Sequence, residues 1–112
     1  MRWYKKLYLG EVAAKTKYKI FGRIRRSVFT NDTFLIVLSE NNHNLLDIIS
    51  ANTLKQPYYK KKGNLDRIYV VGLAVGHNEA LEVVRNIIDE LYTSTGGFDI
   101  RGYLKFGQVK QQ

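Results

Sequence analysis

The stretch RIYVVGLAVGHNEALE, Arg67 to Glu82, decides the fold class of this chain. An unbroken apolar run, Tyr69 to Val75, is followed by a glycine and then by a polar-apolar pattern with a helical period. Apolar runs of this length without alternation are typical of strands that are buried on both faces. The stretch therefore predicts a buried strand that turns directly into an amphipathic helix, as in α/β proteins.

The helix of this unit is predicted over Asn78 to Ser94. At 100° per residue, its charged side chains fill one half of the helical wheel and its apolar side chains fill the other. The predicted apolar half comprises Ala80, Leu81, Val83, Val84, Ile87, Ile88, Leu91 and Tyr92. Asn78 is the predicted N-cap, and Gly96 or Gly97 is predicted to end the helix in a left-handed conformation.

The remaining elements are predicted from shorter signals. The run TFLIVLS, Thr33 to Ser39, has the same unbroken apolar character and predicts a second buried strand. The following LLDII predicts a short helix, with Asn44 as its N-cap and Asp47 three residues later. A first helix is predicted from Leu9 to Val28. Residues 98–106 fit either a third strand or a short helix, and we favour the strand.

These elements predict a single α/β domain over residues 1–112. Its elements follow the order α, β, α, β, α, β, and a three-stranded, mostly parallel sheet is flanked by helices. A chain of 112 residues with 45% hydrophobic residues is large enough for one core. The absence of cysteine excludes thiol catalysis, cysteine-ligated zinc and disulfides.

The formal net charge of +8 is concentrated in the first half of the chain. Residues 1–62 contain 13 Lys or Arg and 4 Asp or Glu, whereas residues 63–112 contain 5 and 6. Tyrosines and the tryptophan alternate with these cations, as on surfaces that bind phosphates and stack bases. The pattern predicts non-specific binding of nucleic acid or another polyanion, although cations that only solubilise an exposed face give the same pattern.

The predicted binding residues lie on the first helix and in one loop. Spacings of four, four and three residues place four cations on one margin of the helix, beside its apolar half. We call these residues the basic stripe: Lys15, Lys19, Arg23 and Arg26. Arg25 adds to them, and the loop contributes three more cations if it folds beside the helix: Lys60, Lys61 and Lys62.

A second candidate site depends on the predicted parallel sheet. If the two strands run parallel, the loops that follow them share the edge where α/β sheets bind ligands. The residues of this predicted rim are Glu40, His43, Gly76, His77 and Asn78. Imidazoles suit a metal or a general base, and the amides after Gly76 suit an anion. No metal-spacing motif and no phosphate-binding lysine accompanies them, so a polar loop and a tight corner remain the simpler interpretation.

The order of the phrases LLDII, PYYKK, VVGLAVGHNEAL, DELY and TGGFDIR resembles a group of small uncharacterised bacterial α/β proteins. The resemblance covers about the C-terminal two thirds of the chain. It implies no activity, substrate, cofactor or catalytic residue, so no residue is given a role from it.

The sequence contains no nucleophile with a partner base and no acid pair. We therefore expect a binding protein rather than an enzyme, with no cofactor and no metal. No apolar run reaches the length of a signal peptide or a membrane span, so a cytoplasmic protein without membrane association is expected. The alternative function is a protein-interaction module that binds an acidic partner or forms a homodimer, and the oligomeric state stays open.

Overall fold

The computed structural model describes residues 2–26, 32–38, 46–61, 63–64, 68–97 and 100. Within these ranges the chain forms a single four-stranded sheet. Its strands are β1 (Arg2–Leu9), β2 (Thr33–Leu38), β3 (Leu46–Ser50) and β4 (Tyr69–Val75). The helices are α1 (Glu11–Arg25), α2 (Pro57–Lys60) and α3 (His77–Thr95), with a 3₁₀ turn at Ala51–Lys55. The predicted α/β class is confirmed.

The sheet is mixed rather than mostly parallel. Its strand order is β1-β4-β2-β3, so β4 and β2 are the central strands. β1 is parallel to β4, whereas β2 is antiparallel to both of its neighbours. The predicted number and direction of the strands are therefore wrong. The unbroken apolar runs of β2 and β4 reflect burial by helices on both faces, a condition that a central strand meets in either direction.

The N-terminal segment is a strand that the sequence analysis missed. β1 ends at Leu9, where the first helix was predicted to begin, and α1 begins only at Glu11. β1 is an edge strand whose pairing with β4 is irregular between Trp3 and Tyr8. Lys5 and Lys6, which are exposed, lie in this irregular part. Lysines on an edge strand discourage pairing with another chain, and they also interrupt its apolar pattern.

The segment after β2 is also a strand, where a helix was predicted. Leu46 pairs with Leu38, and Asp47, assigned to a capping box, lies opposite Val37 in β2. A short apolar run fits either structure by its pattern alone, and the free edge of β2 supplies backbone partners for a strand. Asn44 lies outside the described residues, as do the predicted helix end at Val28 and most of 98–106.

Helices cover both faces of the sheet. We call them the α1 face, which α1, the 3₁₀ turn and α2 cover, and the α3 face. The core of the α1 face contains Ala13, Ile20, Leu35, Val37, Leu54, Ile68, Val70 and Leu73. The core of the α3 face contains Ile36, Leu38, Val71, Ala74, Ala80, Val83, Ile87, Leu91 and Ile100. None of the described helices combines the length and the hydropathy needed to cross a bilayer.

Helix α3 agrees most closely with the prediction. It extends one residue beyond each predicted end, and its predicted apolar half supplies the four buried residues. Leu81 and Tyr92, assigned to that half, are instead 49% and 55% exposed. Gly96, at φ 73°, confirms the left-handed cap, but the N-cap is Gly76 rather than Asn78. Gly76 has φ 90° and ψ 148°, a conformation that is essentially restricted to glycine, and this residue makes the strand-to-helix turn possible.

Candidate nucleic-acid interface

Helix α1 is anchored to the sheet but is not uniform along its length. Ala13 and Ile20 are buried, and Ile24 packs against the same core. Thr16 has non-helical dihedrals (φ −121°, ψ 18°), and its hydroxyl donates to the Val12 carbonyl at 3.0 Å. Because this kink separates Lys15 from the rest of the basic stripe, the regular spacing predicted for the four cations does not hold across Thr16.

The cations of α1 differ in their surroundings. Lys19, Arg25 and Arg26 are exposed, whereas Arg23 is half-buried. Lys15 forms an ion pair with Glu11, Nζ to Oε1 3.9 Å, but both side chains are largely exposed, so the pair contributes little stability. In the described part of the chain, no ion pair neutralises Lys19, Arg25 or Arg26. These three cations are therefore available for an anion in solution.

The two helical layers carry opposite charge. Residues 11–26, which form α1 and its C-cap, contain six Lys or Arg and one Glu. Helix α3 contains four Asp or Glu and one Arg. Because these helices lie on opposite faces of the sheet, α1 contributes net positive charge to one face and α3 contributes net negative charge to the other.

An aromatic groove lies between β1 and α1. Trp3 and Phe21 pack edge to face, with their ring centroids 5.3 Å apart and an interplanar angle of 74°. Together with Tyr18, Ile24 and Arg25 they line the groove, which has a volume of about 410 Å³. Tyr18 is 79% exposed. We call these five residues the aromatic groove.

The aromatic residues among the cations are visible in the sequence, but the contact between Trp3 and Phe21 was not predicted. The contact was missed because no strand was predicted for residues 2–9, where the structure has β1. Trp3 reaches α1 only because β1 pairs in parallel with β4 and thereby runs alongside the helix. The concentration of Trp, Tyr and Phe within a cationic segment was the only signal in the sequence.

One of the predicted loop cations directly follows a helix that covers the α1 face. Tyr59 of α2 packs against the core of the α1 face, and Lys61, directly after α2, is exposed. Lys62 and the side chain of Lys60 lie outside the described residues. Lys61 therefore follows an element of the α1 face, while the placement of Lys60, Lys61 and Lys62 beside the first helix stays a prediction.

The predicted rim of histidines required β2 and β4 to be parallel, and they are antiparallel. Thr33 pairs with Val75, and Val37 pairs with Val70, so β2 and β4 run in opposite directions. The loop that follows β2 therefore leaves one end of the strands, and the loop that follows β4 leaves the other end. Glu40 and His43 themselves lie outside the described residues.

The remaining rim residues form a tight corner. The Gly76 amide donates to the Asp32 carbonyl at 2.7 Å. His77 is exposed and packs edge-on against Phe34, with 5.7 Å between ring centroids, and Asn78 is exposed beside it. Within the described ranges, no three His, Asp or Glu side chains are close enough to hold a metal ion. The contacts of Gly76 and His77 are those of a structural turn.

Glu79 occupies the anion-binding position at the start of α1. Its Oε1 accepts from the Val12 amide at 2.7 Å, and its Oε2 accepts from the Ala13 amide at 3.4 Å and the Val75 amide at 2.5 Å. Free amides and the helix dipole make such a helix start attractive to anions. Here the carboxylate of α3 satisfies them, and Gly10 leaves the space it needs, since a Cβ there would lie 2.3 Å from Glu79 Cγ.

Comparison of the chain with models of protein families, with curated proteins and with solved structures gives no match. The function is therefore inferred from the geometry of the α1 face.

Proposed function

We propose that this protein binds nucleic acid non-specifically through the α1 face. The observation that carries the proposal is the set of exposed cations Lys19, Arg25 and Arg26, which no described carboxylate neutralises. Arg25 also lines the aromatic groove. Such a surface holds the phosphate backbone, which all sequences share.

The opposite charges of the two helical layers support this proposal. A nucleic acid that approached the α3 face would meet four carboxylates, while at the α1 face it meets six cations on α1 and its cap. Binding there releases the counterions condensed on the phosphates, and this release provides most of the affinity of a non-specific complex. The charge distribution thus supports a polyanion as the ligand and the α1 face as its site.

The double substitution Lys19→Gln with Arg26→Gln tests the electrostatic part. Each lost phosphate contact is expected to reduce the slope of log affinity against log salt by about 0.9 on duplex DNA, so the double variant should lose about 2 from the slope. Both side chains are exposed, so the fold should not change; Arg23 is avoided because it is half-buried. Fluorescence anisotropy with a labelled duplex over a salt series measures the slope.

The matched control removes two exposed cations away from the α1 face, Lys6 of β1 and Arg85 of α3. Lys6 alternates along β1 with Leu7, which packs on the α1 face, and so lies on the other face with Tyr4 and Tyr8. The control variant, Lys6→Gln with Arg85→Gln, has the same net charge as the test variant. An equal loss of slope in both variants would mean that total charge, and not the α1 face, governs binding. No binding by the wild type at about 50 mM salt and micromolar protein would refute the proposed function.

The same charge asymmetry favours a second candidate, self-association of the α1 face of one copy with the α3 face of another. Such a contact is heterologous, so it adds further copies rather than closing into a two-fold dimer. Light scattering is then expected to show a mass that rises with protein concentration and falls with salt. A monomer mass at low salt would exclude this candidate, and a pull-down with nuclease treatment separates protein partners from nucleic acid.

A further inference from the structure

We propose that the aromatic groove receives an unpaired base, so that the protein binds single-stranded nucleic acid in preference to duplex. This inference rests on the proposed function, because the groove supplies stacking and the surrounding cations hold the phosphates. It adds the class of nucleic acid to that function.

The groove has the properties of a stacking site. Its walls come from two elements, with Trp3 on β1 and the other lining residues on α1, so the Trp3 and Phe21 rings are held by the sheet and by the helix. Tyr18 also lines the groove, and 79% of its surface is exposed. The volume of the groove, about 410 Å³, lies in the range of ligand pockets, about 300 to 1,000 Å³.

Charge complementarity identifies the occupant as an anion with a flat apolar part. Arg25 lines the groove, and Lys17 holds its Nζ 5.1 Å from the centroid of the Tyr18 ring. An uncharged apolar ligand would gain nothing from these two cations. A nucleotide uses both features, because its base stacks on aromatic rings and its phosphate pairs with the cations.

Gly22 brings Arg26 close to the aromatic groove. Tyr18, Gly22 and Arg26 follow each other at intervals of four residues, so they form one line along α1. Gly22 has no side chain, and the nearest atom to a Cβ built on it is Nη1 of Arg26 at 3.5 Å. The Arg26 guanidinium therefore lies over Gly22, about one helical turn from Tyr18, so a phosphate that it binds is within reach of a base at the aromatic groove.

Duplex DNA cannot use the groove in this way. Its bases are stacked on each other, so their faces are not available to Tyr18, Trp3 or Phe21 unless the duplex opens. A single strand offers the face of every base, and stacking tolerates any sequence. The groove therefore adds affinity for single strands only, while the cations act on both forms.

The test compares Tyr18→Ala with Tyr92→Ala. Tyr92 is an exposed tyrosine on α3 and so matches Tyr18 in type on the opposite face. Anisotropy with labelled oligothymidylate is expected to show a loss of affinity of about ten-fold or more for Tyr18→Ala, and a change below about two-fold for a duplex of equal length. Tyr92→Ala is expected to bind both probes like the wild type.

Trp3 provides a second readout, because it is the one tryptophan of the chain and lines the groove. Oligothymidylate is expected to quench its fluorescence, and duplex is not. Unchanged single-strand affinity in Tyr18→Ala, or an equal loss for both probes, would overturn the stacking site while leaving the proposed function intact if the Lys19 and Arg26 slope effect holds. If the wild type binds neither probe, the proposed function and this inference are both refuted.

Discussion

Glu79→Ala is expected to lower the free energy of unfolding by about 3 kcal/mol, and the melting temperature by about 12 °C for a domain of this size. The substitution removes a carboxylate that accepts from three amides on two elements, those of Val12, Ala13 and Val75. Hydrogen bonds to a charged group are stronger than neutral ones, and the vacated amides also lose a favourable charge at the start of α1. Thermal unfolding followed by circular dichroism measures the shift.

Glu82→Ala is the matched control, because Glu82 is exposed in the same first turns of α3. Both variants replace a glutamate of α3 by alanine, so they share the change in helix propensity. Glu79 lies one turn closer to the helix start, and its dipole interaction adds about 1 kcal/mol at most, so a larger difference reports the contacts with the Val12, Ala13 and Val75 amides. If the two variants are equally stable, the Glu79 carboxylate does not hold α3 against α1. Sulfate should also restore Glu79→Ala more than Glu82→Ala, because an anion can then occupy the free amides of α1.

Gly10→Ala provides an independent check on the same contact. A Cβ at Gly10 would lie 2.3 Å from both Cγ and Cδ of Glu79, so the alanine must displace that side chain. In a double-mutant cycle, Gly10→Ala is expected to cost much less stability in the Glu79→Ala background than in the wild type. Additive losses would mean that Gly10 acts through its backbone and not through the space it leaves for Glu79.

Gly72→Ala is expected to lower the free energy of unfolding by about 2 to 3 kcal/mol, through overpacking at the centre of the sheet. A Cβ there would lie 2.9 Å from the Tyr8 carbonyl oxygen and 3.1 Å from Val83 Cγ1. The first of these atoms belongs to the backbone of β1, so it cannot rotate away as a side chain does. Relief requires β1 or α3 to move off β4, and chemical denaturation measures the cost.

The control for Gly72 is Gly97→Ala, because a Cβ at Gly97 meets no atom within 4 Å. Its stability is expected to stay within about 0.5 kcal/mol of the wild type, as for other surface substitutions. An equal, small loss at Gly72 would show that β1 and α3 are loosely held against β4. A large loss confined to Gly72 would confirm that β1 and α3 approach β4 too closely at this position for a side chain.

The β4-α3 unit could be predicted from the sequence because all of its signals are local. The apolar run marks burial, the helical period marks the core face of α3, and Gly96 marks its end. The cationic character of residues 1–62 is likewise a property of composition, and it predicts the first helix as the candidate binding surface without any knowledge of tertiary contacts. None of these conclusions depends on which other strand lies beside β4.

The direction of β2, the existence of β1 and β3, the Glu79 contact and the aromatic groove were decided by the tertiary structure alone. An unbroken apolar run reports that a strand is covered on both faces, but a covered strand accepts a parallel or an antiparallel neighbour. The short runs of β1 and β3 become strands because the outer edges of β4 and β2 satisfy their backbone groups. Glu79 and Val12 are 67 positions apart in the sequence, and Trp3 and Phe21 lie on different elements, β1 and α1. No local sequence pattern can therefore predict either contact.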